Sequence, residues 1–264
     1  MKDLFRAIWA YRHFILTSIK NDLRARFVRS KLGTLWMILQ PLAQCAIYAL
    51  VLSKVLAAKL PHVDSPYAYP IYLMSGIVAW TLFNELVSRS LTMFVDNGNI
   101  MKKIMFPRIC LPIVTAGSAL VNNVLLIATT LLVFATLGHW SSAGLIWLPV
   151  LLLVNVAFGM ALGMILGIFN VFVRDVAQVA AVVLQLWFWL TPVVYMIDIV
   201  PESARQYFRS NPMYPIVSGY QDVLLHDRAP DLKSLAIIGG FSLVLLCISL
   251  LLFRRASADM VDVL

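Results

Sequence analysis

Charged residues are scarce in this chain. They make up 13% of its 264 positions, while hydrophobic residues make up 61%. Soluble domains carry about 25% charged and about 45–50% apolar residues. From position 109 to position 173 there is no Asp, Glu, Lys or Arg. These deficits exclude a soluble fold, and the chain reads as an integral membrane protein. Cysteine is equally sparse. Cys45, Cys110 and Cys247 stand far apart, in or beside apolar runs. That spacing suits neither a metal site nor a disulfide framework and leaves them as small hydrophobes. There is no G-x-x-x-x-G-K-[ST] phosphate cradle and no H-E-x-x-H pair, so the chain lacks the residues for nucleotide hydrolysis by that loop or for zinc proteolysis. No Ser/His/Asp set lies close in sequence. His13, His62, His139 and His226 all fall in termini or loops, where solvated side chains are the rule. The first 34 residues hold no clean apolar core and no small-residue cleavage site, so no removable signal peptide is expected.

What is present is a series of apolar runs long enough to cross about 30 Å of hydrocarbon. The expected spans are 35–58, 70–94, 111–137, 145–173, 176–196 and 235–253. The uncharged stretch 109–173 is too long for one crossing and is divided at Gly138-His139-Trp140-Ser141-Ser142. Before the first span, Leu4, Ile8, Tyr11, Ile15, Ile19, Leu23 and Phe27 recur every three or four residues, with Arg6, His13, Lys20 and Arg24 elsewhere on the wheel. An amphipathic helix at the membrane surface is expected for residues 1–32, with packing on a soluble partner as the alternative. The stretch 198–233 is polar and proline-rich. Thr191-Pro192 breaks the fifth span, and Tyr195, Tyr207, Phe208 and Tyr214 favour a short re-entrant outer segment over a plain loop. The fold class is therefore all-α, with six transmembrane helices, an interface helix and a cytoplasmic tail at 257–264.

Six crossings put both termini on one side. That side holds fifteen Lys and Arg against six on the other, which makes it cytoplasmic. The net charge of +8 reflects this bias and does not call for a nucleic-acid partner. The loop 97–112, NGNIMKKIMFPRICLP, then faces the cytoplasm. Asn97 stands where a helix-start cap belongs, Ile100 and Ile104 share a face, Lys102, Lys103 and Arg108 add charge, and Phe106-Pro107 ends the segment. A chain with no visible catalytic set takes its energy from outside, and this loop is where a partner would push. For any single lysine, a topology signal is as good a reading as partner contact.

Inside the spans, Glu85 is the lone deep acid and has Arg89 one turn on. Such a carboxylate is a functional candidate, although an ion pair satisfies the charge more simply. Gly159, Gly163 and Gly167 permit close helix approach, within one subunit or between two. Trp36, Tyr72, Trp80, Trp187, Trp189 and Tyr195 are either belt anchors or the lining of a pathway for sugars. No metal ligands are proposed.

Four stretches carry a family resemblance: DLRARFVRSKLGTLWMILQPL at 22–42, YPIYLMSGIVAWTLF at 69–83, NGNIMKKIMFPRICLP at 97–112, and VFVRDVAQV, LTPVVYMIDIVPE and NPMYPIVSGYQDVLL within 171–225. In this order they resemble the permease subunits of type-2 ATP-binding-cassette exporters, in the branch that exports bacterial O-antigen, capsule and teichoic acid. The resemblance implies a homodimer joined to two separate ATPase subunits, which hold ATP and Mg²⁺ while this chain binds no cofactor. It implies an inner-membrane location, a coupling helix at about 97–107, and an interface helix at the N-terminus. It also implies an arginine before Asp222, where this chain has Gln221. The expected function is export of a lipid-linked, O-antigen-like polysaccharide. Teichoic acid, capsule, or a small lipid or drug are alternatives on the same fold. A proton-coupled carrier using Glu85 would show internal repeats and more buried ionisable groups.

Overall fold

A computed structural model describes residues 9–25, 35, 36, 39, 43, 47, 67–103, 108–257 and 259–263. Apart from the five isolated positions, the expected first span falls outside the described residues, as do Leu4, Ile8, Ile104, Phe106 and Pro107. All regular structure among the described residues is helical. The helices are α1 (Arg12–Ala25), α2 (Ala68–Asp96), α3 (Gly98–Lys103), α4 (Cys110–Thr136), α5 (Leu148–Phe172), α6 (Asp175–Leu190), α7 (Glu202–Arg209), α8 (Tyr214–Leu224), α9 (Leu232–Ala256) and α10 (Asp259–Val263). A 3₁₀ turn, Gly144–Trp147, leads into α5.

Proline and glycine set most of the boundaries. Pro149 and Pro215 occupy first turns, where the missing N–H costs nothing. Gly138, at φ 75°, takes the left-handed conformation that ends α4. Pro192 stops α6 by forcing Thr191 into an extended conformation at φ −106°, ψ 131°. As a result α6 ends at Leu190, short of the expected 196, and its 16 residues reach about 24 Å. Asp231 caps α9 through Lys233 N and the Ser234 hydroxyl.

Four of these helices, counting the 3₁₀ turn with α5, are long and apolar enough to cross a membrane. At the two extremes their burial runs opposite to that of a water-soluble core. The most apolar, α9, has 22% of its span buried, whereas α2, the least apolar, has 78%. Lipid explains the inversion, because in hydrocarbon the apolar helix belongs outside and the mixed one at the centre. Around α2 pack α4, α5, α6 and α8, and α9 leans on α5. The α2–α5 contact is close enough to need glycine. A Cβ on Gly167 would lie 2.3 Å from the Ser90 carbonyl oxygen, and one on Gly163 would lie 2.6 Å from Ser90 Cβ. Gly159 meets Leu86 in the same way. All three glycines thus face a helix of their own chain.

Three carboxamides tie α2 in place. Asn123 of α4 donates to Val78 O at 3.0 Å, Asn155 of α5 to Ala79 O at 2.9 Å, and Asn170 of α5 to Leu91 O at 2.9 Å. Interhelical bonds of this kind average about 0.6 kcal/mol each in membranes, so the set contributes roughly 2 kcal/mol. The polar stretch after α6 is likewise built into the bundle. Ile216, Val217, Tyr220, Val223 and Leu224 of α8 are buried against it. Asn211 staples α6 to α8, accepting from Trp187 Nε1 at 2.8 Å and Met213 N at 3.0 Å and donating to Leu190 O and Thr191 Oγ1. A second staple joins the α4–α5 turn to the α8–α9 turn. Asp227, held at φ 49°, accepts from Gly144 N at 2.7 Å and Ser141 Oγ at 2.8 Å. The Gly144 amide, followed by the Ser141 hydroxyl, holds the Asp227 carboxyl below its ordinary pKa.

Candidate coupling surface and transport groove

At one end of the bundle, α1 is fastened to the spanning helices. Ile15 is buried, Tyr11, Ile19 and Leu23 are half-buried, and the opposite face is exposed. Ile19 fits a notch at Gly117 of α4, where a Cβ would come within 2.4 Å of its Cδ1. Beside the notch, Arg89 of α2 donates to Asp22 of α1 at 2.7 Å. Glu85 stands 3.7 Å from the same guanidinium and accepts from Asn122 of α4 at 2.8 Å. The expected Glu85–Arg89 pair is therefore the looser half of a four-residue cluster. Asp22 is the shorter contact, and sequence spacing could not reveal it because it lies 67 positions from Arg89. Glu85 is thus tied to α4 by one hydrogen bond and stands beside a guanidinium inside the bundle.

The loop between α2 and α4 contains a short helix, α3. Asn97 is its hinge, but its side chain does not cap α3. The Asn97 amide donates to Met93 O at 2.7 Å, closing α2, while its own carbonyl accepts from Met101 N at 2.9 Å. Met101 points inward, 5% exposed, in one apolar cluster with Phe94, Phe253 and Met260. Lys102 is exposed. Arg108 turns back to donate to the Ser257 carbonyl at the end of α9. Of the three cations expected to face a partner, Arg108 is thus engaged within the chain. The side chains of Ile100 and Lys103 lie outside the described residues, with those of Ile104, Phe106 and Pro107.

The aromatic residues divide into three groups. Trp80 and Trp187 belong to a ladder through Phe83, with ring centres 5.4 and 5.3 Å away, and Phe83 stacks on Phe158 at 5.4 Å and 10°. Phe188 extends the ladder from Trp80 at 5.5 Å. Tyr72 and Tyr195 meet at the other end of α2, where the Tyr72 hydroxyl donates to Tyr195 O at 3.1 Å. Trp189 meets Phe188 edge-on at 5.5 Å and is 59% exposed, and Trp36 is 46% exposed.

Between α2 and α6, a groove of about 400 Å³ opens on the side of the bundle, lined by Trp80, Asn84, Ser88, Gln185 and Phe188. Asn84, Ser88 and Gln185 were not singled out by the sequence reading. Their signal was available, since Asn84 and Ser88 are i,i+4 on one span and share a face. A lipid-facing surface has no use for an amide, a hydroxyl and a second amide in a row. Among the described residues no group of three or more His, Cys, Asp or Glu could hold a metal ion.

The molecule so defined is a multi-helix membrane protein that offers a polar-aromatic groove and a small helix at one end. Comparison with known proteins agrees. The pattern of the ABC-2 type transporter family matches residues 14–225, and the chain belongs to that family. It is 30% identical over 248 residues to the O-antigen export system permease protein RfbA of Myxococcus xanthus, covering 93% of each chain. It is 25% identical to the RfbA permease of Klebsiella pneumoniae, with 96% of each covered. Against the polysialic acid transport protein KpsM of Escherichia coli the identity is 22%, over 91% of this chain and 92% of that one.

Proposed function

We propose that this chain is the membrane subunit of an ATP-driven exporter that moves a cell-surface polysaccharide, O-antigen-like and lipid-linked, across the bacterial inner membrane. The observation that carries this reading is the groove between α2 and α6. Amides and a hydroxyl beside the aromatic rings of Trp80 and Phe188 suit a neutral sugar chain, and they are costly to expose to lipid. The names of the full-length relatives point to the same cargo. In the working molecule six spans cross the membrane with both termini in the cytoplasm, and α7 and α8 form the re-entrant outer segment. α1 lies in the inner interface. Two copies pair so that their grooves enclose one path, and each copy seats α3 on a separate ATPase that binds ATP and Mg²⁺. The proton-coupled alternative is disfavoured by the ties on Glu85. A small-lipid or drug exporter would have little use for the polar row in the groove.

Two measurements test this. Cells deleted for the chain should lose their surface polysaccharide and regain it on complementation. The chain purified alone in lipid should show no ATP hydrolysis until its ATPase is added. Surface polymer that persists in the deletion strain would end the polysaccharide reading.

A further inference from the structure

A second cavity, separate from the groove, opens at the end of the bundle opposite α3. It encloses about 740 Å³ between the start of α2, the stretch after α6, the helix α8 and the first turn of α9. That volume falls within the range of small-molecule sites, about 300–1,000 Å³. Its floor is polar, buried and pinned. Tyr72 is 8% exposed and Gln221 6%. The Tyr72 hydroxyl donates to the carbonyls of Tyr195 and Pro192, at 3.1 and 3.4 Å, and Gln221 Nε2 donates to Pro192 O at 3.2 Å. Tyr214 forms a half-buried wall, and Ser218 lies one turn along α8.

The rim decides the chemistry of the occupant. Asp198, Asp222 and Asp231 face Arg228 and His226 around the opening. Burial, followed by the Arg228 charge, keeps the His226 pKa below its usual value. Arg228, the one guanidinium that lines the cavity, is already paired with Asp222, which disfavours an anion. A metal ion is disfavoured because no described cluster has the ligands for one. Carboxylates, hydroxyls and amides in such number disfavour an acyl chain. What fits is a neutral ligand rich in hydroxyls and possessing apolar C–H faces. The Asp198 carboxylate has no hydrogen-bond partner among the described residues. Both Arg228 contacts to Asp222 fall on Oδ1, which keeps Oδ2 available.

We propose that this cavity is an exit subsite that holds a short neutral stretch of the sugar chain, with Asp198 and Asp222 accepting from its hydroxyls and Tyr214 stacking on one sugar face. The proposal rests on the polysaccharide reading above. It assigns the last contact inside the protein to a place 740 Å³ in size on the outer side, away from the α2–α6 groove.

The test uses cells carrying the whole transporter and a Ser218→Cys chain treated from outside with a membrane-impermeant thiol reagent. When polymer is being made and exported, labelling at 218 should slow roughly tenfold relative to a strain that makes no polymer, the occupancy expected from charge-assisted hydrogen bonds. Adding Asp198→Asn, a change at an exposed side chain that does not threaten folding, should restore the faster labelling and lower export. Equal labelling with and without polymer overturns the subsite, as does a position 218 that never reacts from outside. Failure of the broader reading is distinguishable, since it would appear as unchanged surface polysaccharide in the deletion strain.

Discussion

The polar tie between α1 and α2 can be cut at a single residue, and the structure ranks the consequences. Arg89→Met removes the cation from between Asp22 and Glu85. Breaking a fully buried pair costs about 3–5 kcal/mol, while an exposed pair is worth about 0–1 kcal/mol. With side chains 25% and 32% exposed and a 2.7 Å contact, the Arg89–Asp22 interaction falls between these limits. A coupling of about 1–2 kcal/mol is expected. Glu85 is only 13% exposed, but its contact is 3.7 Å, and Asn122 still bonds the residue if it becomes a glutamine. Its coupling to Arg89 should stay below about 1 kcal/mol. Double-mutant cycles on Asp22→Asn, Glu85→Gln and Arg89→Met separate the two. The readout is equilibrium unfolding in mixed micelles followed by tryptophan fluorescence. Glu85→Gln should be mild, because Asp22 keeps Arg89 paired. If Glu85 couples to Arg89 more strongly than Asp22 does, the assignment of Asp22 as the main partner is wrong.

Three further outcomes are expected. A cysteine at Ser203 should react with an impermeant thiol reagent from outside while one at Asn97 should not, and the reverse pattern would overturn the orientation. Ile104→Asp should leave the chain inserted yet lower both ATPase association and export, with Lys102→Gln milder, as measured by co-purification and surface polymer; a desolvated charge weakens a packed contact strongly. Gly167→Val should sharply reduce folded yield, since its Cβ would meet the Ser90 carbonyl at 2.3 Å, whereas Gly240→Ala, with nothing within 4 Å, should be tolerated or gain up to about 1 kcal/mol in thermal stability.

The helices α2, α4, α5 and α9 were legible in the sequence because lipid imposes a length and forbids charge. Their ends fall within about three residues of the expected spans, a margin set by fraying and caps. The Gly138 turn and the Thr191-Pro192 break were legible for local reasons, namely a left-handed φ and a pre-proline residue. Other features depend on packing between distant segments and leave no periodic signal. Asp22 gave no hint that it pairs with Arg89, nor did Asn123, Asn155 and Asn170 that their amides would reach the carbonyls of α2. Met101 is turned inward by Phe94, Phe253 and Met260, two of them more than 150 positions away. Asn97 was expected as an acceptor and acts as a donor, because the last turn of α2 has carbonyls to satisfy.

The early stop of α6 has a consequence for its surroundings. A helix of about 24 Å is shorter than a hydrocarbon slab of about 30 Å. The chain beyond it stays apolar, since 191–200 holds one charged residue, Asp198, and Val193 is fully buried. Whatever crosses the remaining depth is non-helical backbone, whose carbonyls need partners inside the protein. They have them: Tyr69 donates to Val194 O, Tyr72 to the carbonyls of Pro192 and Tyr195, and Gln221 to Pro192 O. Whatever packs against Pro192 must therefore also supply the donors that the lost helical turns would have supplied.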